Sequence, residues 1–185
     1  MRNFTRDNLL FSLCGLHCGL CVMHVGGYCP GCGGGPGNQS CAIARCSLAH
    51  DNVAYCFQCK EYPCSRYENI EAYDSFITHQ RQLSDMARAK AIGLDAYNKE
   101  QDSKVAILQE LLSNYNDGRR KTFYCIAVNL LPLEDLESAM KQLSANSVIY
   151  RLAPKEKADE VTSVFLNLAK QQGLVLKLRK KPVKK

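Results

Sequence analysis

Apolar residues recur every third or fourth position through the last two-thirds of the chain, and in the first third they do not. Tyr67, Ile70, Tyr73, Phe76, Ile77, Leu83, Met86 and Ala87 hold the helical spacing up to Gly93, a residue suited to a helix C-terminus. A second helix is expected from about Asp102 through Val105, Leu108, Leu111, Leu112 and Tyr115, closed by Asn116-Asp117-Gly118. Arg119 to Leu131 is ambiguous. Its aromatic and β-branched residues suit a buried strand, while Phe123, Ile126, Ala127 and Leu130 share one face of a helix, and helix is the assignment made. Pro132 breaks that pattern, and Leu133, Leu136, Met140 and Leu143 restart it. Pro154 opens a last helix through Ala158, Val161, Val164, Phe165 and Leu168, ending at Gly173. Leu174 to Leu178 reads as a short β-like segment. The apolar stripes are core faces of a helical bundle, not a cofactor box.

Before Cys64 the sequence is rich in Cys and Gly and poor in apolar periods, so metal coordination is expected to supply order that a small core could not. The expected class is mainly α, a small Cys-rich, metal-stabilised N-terminal module (1–64) joined to a helical C-terminal domain (65–178) and a basic tail (179–185). At 185 residues and 46% hydrophobic, the chain has room for one core and a small appended module.

Ten of the eleven cysteines fall between Cys14 and Cys64, at short fixed spacings. Neighbouring thiolates on one turn can converge on a single ion. Cys18-x2-Cys21 and Cys29-x2-Cys32 suggest a four-thiolate zinc site, with Gly31 and Gly33 permitting tight turns. Cys41, Cys46, Cys56, Cys59 and Cys64 supply a second set, of which spacing does not say which four close a site. Two sites use eight of the ten thiols and leave Cys14 and one other over. His17 and His24 lie inside the first set and could complete a three-cysteine site or simply pack beside it. His50 and His79 read as surface residues, and Cys125 as a buried, inert thiol. Cys14-x3-Cys18-x2-Cys21 also has the spacing that holds an open four-iron cluster in radical enzymes, but the barrel such enzymes need does not follow it.

The formal charge of +6 arises in the tail. The last nine residues, KLRKKPVKK, carry six Lys or Arg, and the remainder is formally neutral. A zinc held by four thiolates carries about −2 relative to four neutral thiols, so two sites would bring the protein to roughly +2. Nucleic-acid binding is therefore disfavoured, and the tail reads as a solvated terminus. The first thirteen residues imitate a signal peptide, but Asp7 interrupts them and the apolar run is short. No membrane-spanning stretch follows, so the expected location is the cytoplasm, where thiols stay reduced and the Asn38-Gln39-Ser40 sequon is unused. The Gly31 to Gly37 stretch is a loop and not a phosphate cradle. Arg119-Arg120 could meet an anion or merely solvate a helix end. No carboxylate pair, nucleophile with its base, or nucleotide motif stands out, and no catalytic residue is assigned.

The order CGLHCGLC, CPGC, CAIARC, CFQCKEYPC resembles a family of bacterial and archaeal cysteine-rich proteins catalogued as a domain of unknown function (number 3795) and presumed to bind zinc. The likeness covers about residues 10–70. By resemblance, the motif cysteines are Cys14, Cys18, Cys21, Cys29, Cys32, Cys41, Cys46, Cys56, Cys59 and Cys64. The family implies metal binding and no settled activity. The sequence thus points first to a cytoplasmic zinc protein with about two ions, acting as a binding or regulatory module toward an unidentified protein or small molecule. The rival is an iron–sulfur redox or enzymatic protein using Cys14, Cys18, Cys21 and a fourth Cys. A third reading is a nucleic-acid-binding zinc-knuckle protein.

Overall fold

The structure, a computed structural model, describes residues 3–37 and 41–182. Asn38 to Ser40, and with them the sequon, lie outside the described residues. Among the described residues seven α-helices follow in order: α1 (Val22–Val25), α2 (Ala42–Leu48), α3 (Gln82–Ile92), α4 (Leu94–Asn114), α5 (Lys121–Leu130), α6 (Leu133–Ala145) and α7 (Pro154–Gln171). Short 3-10 turns stand at Cys18–Leu20, Cys56–Gln58, Ser65–Tyr67 and Ile149–Arg151. Among the described residues there is no strand beyond an isolated bridge between Phe11 and His17. The mainly helical class holds.

The chain divides into two compact units, Met1–Lys99 with Leu178–Lys185, and Glu100–Lys177. The first therefore runs well past Cys64, and α4 passes through the boundary.

In the second unit the sequence rules work locally. Pro154 is the first residue of α7, where its missing N–H costs nothing, and the Glu156 carboxylate accepts the Ala153 amide at 2.9 Å. α5 is a helix and not a strand. Tyr124, Val128 and Leu130 are buried on it, and the Tyr124 hydroxyl donates to the Tyr115 carbonyl at 2.7 Å. At its C-terminal end the buried Lys104 ammonium donates to the carbonyls of Asn129 (3.2 Å) and Leu131 (2.8 Å), placing a cation where the helix leaves carbonyls unpaired. Leu174 to Leu178 is irregular and not β, since no strand among the described residues offers it a ladder.

The first unit departs from the periodic reading. α3 begins only at Gln82, because polar side chains upstream capture the backbone that a helix would need. Asp74 Oδ1 accepts the His79 amide at 2.8 Å, Glu71 Oε1 accepts the Leu83 amide at 2.8 Å, and Asn69 adopts a left-handed φ of 55°. Helix α4 starts at Leu94, directly after Gly93 (φ 87°) and earlier than expected, and its first turns bury Tyr97. Phe11 and Tyr55 from the Cys-rich segment pack with Met86 and Ala89 of α3 and with Tyr97. A second cluster joins Phe4, Leu13 and Ala44, with Cys32, Cys41, Ile43 and Cys56 against it. Burying Phe11, Met86 and Tyr97 stabilises by about 1.5–3 kcal/mol each. The Cys-rich segment thus shares a conventional core with α3, where the sequence suggested that it lacks one.

Candidate metal centre

The cysteines are presented by tight turns. Residues Phe11 to His17 form a small loop in which the Ser12 amide donates to the Leu16 carbonyl at 2.8 Å and the Gly15 amide to Ser12 at 3.1 Å. Cys14 sits at its tip, buried. Gly15 has φ 97°, and a Cβ there would lie 2.4 Å from Met86 Cγ and 2.6 Å from the Gln82 carbonyl, so only glycine lets the loop lie on α3. Gln82 Nε2 donates to the Cys14 carbonyl at 2.9 Å, and the Tyr67 hydroxyl approaches it at 3.4 Å.

Two of the x2 pairs form the expected turn. The Cys21 amide donates to the Cys18 carbonyl at 3.0 Å and the Cys59 amide to the Cys56 carbonyl at 3.0 Å, each closing a 3-10 turn. Cys29 and Cys32 follow α1 in a loop held by the Cys32 amide on the Leu9 carbonyl (3.1 Å) and by His24 Nδ1 donating to the Cys29 carbonyl (3.0 Å). Cys41 caps α2 and Cys46 lies within it. Among the described residues no cysteine is in a disulfide.

In space the two sequence groups meet. Cys32 of the first group packs with Cys41 and Cys56 of the second against Phe4, Leu13 and Ala44. Burial pushes the Cys14 thiol up to about 11 and the Cys56 thiol up to about 12, with neighbouring thiolates adding to the rise, and it raises Cys18 as well. Without a cation these three groups are neutral thiols at pH 7. Cys21, Cys29, Cys32, Cys41, Cys46, Cys59 and Cys64 are half-buried.

Among the described residues, no three His, Cys, Asp or Glu side chains already stand close enough to grip an ion. A cavity of ≈ 30 Å³ is lined by Cys46, Cys56, Cys59 and Cys64 together with His50 and Glu61. Its soft sulfur donors suit zinc or an iron–sulfur cluster and not magnesium or calcium.

The histidines are spoken for locally. His17 is buried, with its ring stacked on Phe11 at 6.3 Å. His50, expected at the surface, is half-buried: Nδ1 donates to the Cys46 carbonyl at 2.9 Å, and Nε2 meets Glu61 Oε1 at 3.3 Å. His79 is also half-buried, against the Ile70 carbonyl (3.2 Å) and Ser75 Oγ (3.0 Å). Cys125 is buried in α5, in the other unit. Arg120 pairs with Asp159 and, at 3.8 Å, with Asp117, so half of the Arg119-Arg120 pair is engaged in ion pairs.

Several residues of the site carry no motif. Tyr67 reads in sequence as a helix core position, yet it lines the cavity beside Cys46, Cys56, Cys59 and Cys64, as Arg66 does, and its hydroxyl reaches the Cys14 carbonyl. The cysteine that each follows closely in CKEYPCSRY was the available signal. Gln82 had none. Compared with protein-family models, with curated proteins and with solved structures, the chain matches none.

Proposed function

We propose that the chain is a zinc-binding protein whose Cys-rich unit is held in shape by thiolate-bound metal, and that it acts as a cytoplasmic binding or regulatory module and not as a catalyst. The supporting observation is the gathering of cysteines distant in sequence, Cys32, Cys41 and Cys56, against one small cluster of Phe4, Leu13 and Ala44. The motif set's resemblance to presumed zinc-binding proteins points the same way. Ten such thiols most economically build about two tetrahedral sites, and a four-thiolate site leaves no coordination position for water or substrate.

Because metal-site formation and folding are coupled, stripping zinc should loosen the polypeptide around it. Hydrogen exchange of the full chain before and after chelation tests this. Protection is expected to fall in residues 14–64 and, through the shared core, in α3, while Glu100–Lys177 keeps its own. Protection unchanged throughout after the zinc has left would overturn a structural role for the metal.

A further inference from the structure

We propose that Cys46, Cys56, Cys59 and Cys64 close one four-thiolate site for a zinc-like divalent cation, with Cys41 outside it. The inference rests on the metal-binding reading above and gives it a ligand set that spacing leaves open.

Cavity and helix geometry select the four. All four line the same ≈ 30 Å³ space, and Cys41 does not. Such a space admits about two water-sized atoms, enough for one cation. An organic ligand would need on the order of 300 Å³ or more. Cys46 lies within α2, whereas Cys41 stands before its first turn in extended backbone (φ −128°, ψ 130°), so the two are presented by different local structure. Cys41 packs with Cys32 and Cys56 against Phe4, Leu13 and Ala44, but of these three only Cys56 also lines the cavity. Cys56 and Cys59 come from a single closed turn, a geometry that aims both sulfurs one way. His50 lines the cavity with Nδ1 on the Cys46 carbonyl (2.9 Å) and 3.5 Å from the Cys46 sulfur, and with Nε2 on Glu61, so both ring nitrogens are engaged in holding Cys46 and Glu61.

The thiols surround the space without yet converging, so an ion would close the site by drawing the four sulfurs in to the usual zinc–thiolate distance of about 2.3 Å. Four S–H bonds break, four metal–sulfur bonds form, and the protons pass to solvent. The resulting double negative charge lies beside Arg66, which lines the same cavity.

The test is mass-mapped alkylation of the zinc-loaded full chain during graded chelation. Cys46, Cys56, Cys59 and Cys64 should become reactive together, at one chelator concentration, and Cys41 should not move with them. As a second arm, Cys64→Ser should weaken zinc at this site by roughly 100-fold or more and expose Cys46, Cys56 and Cys59, while Cys41→Ser leaves all four protected. Cys41 titrating in place of one of the four, or continued protection of the other three in Cys64→Ser, would overturn the assignment while leaving zinc binding intact. A wild-type chain that takes up no zinc would instead overturn the metal-binding reading itself.

Discussion

Gly15 carries as much of the site's geometry as any cysteine. Its positive φ and the 2.6 Å approach of the Gln82 carbonyl forbid a side chain where the Cys14 loop meets α3. Gly15→Ala should therefore destabilise the first unit by roughly 2–4 kcal/mol, through strain and overpacking together. Gly27 also has a positive φ (75°), but nothing lies within 4 Å of its would-be Cβ, so Gly27→Ala should cost only about 1 kcal/mol. Urea unfolding of the two variants checks the contrast, and equal losses would show that the close approach to α3 does not matter. At this scale the sequence disclosed the donors and hid their supports. Ten thiols at short spacings announce themselves, whereas Gly15 and Gln82 matter through contacts some seventy residues apart, which no local pattern encodes.

Among the elements, the segment between Tyr67 and Gln82 shows how polar side chains override periodicity. The buried Asp74 side chain accepts amides from His79 (2.8 Å) and Arg179 (2.6 Å), and the Asp74 amide donates back to the Arg179 carbonyl (2.8 Å). Arg179 is thus pinned, although the sequence reads it as the start of a solvated tail. Burial pulls the Asp74 carboxyl up, but the Arg179 and His79 amides and the Arg179 guanidinium outweigh it and hold its pKa below the ordinary value. Its stabilising contribution is then complete above the unfolded carboxylate pKa, about 4, and is lost as pH falls through that value toward the lower folded one. Asp74→Asn should cost roughly 1–3 kcal/mol at pH 7 and lose less stability than wild type between about pH 5 and pH 3. Parallel pH dependences in urea unfolding would contradict the role given to this carboxylate. The helices after Asp117 were legible because Pro132, Pro154 and Gly173 punctuate them. The α3 start was not, since Tyr67, Ile70 and Tyr73 keep helical spacing while Asn69 and Asp74 break the backbone.

For the molecule as a whole, the mainly helical class follows from apolar periodicity, but the limits of the first unit do not. A composition change at Cys64 suggests a boundary there, whereas Phe11 and Tyr55 pack on Met86, Ala89 and Tyr97, beyond that change. Contacts between distant segments, and not composition, set the extent of a unit. The central claim is that this unit is built around zinc, and anaerobic purification without chelator, followed by elemental analysis and an absorption spectrum, tests it most directly. The account predicts a colourless protein carrying about two zinc ions per chain, with no labile sulfide. A brown, visibly absorbing protein that contains iron and labile sulfide would contradict it.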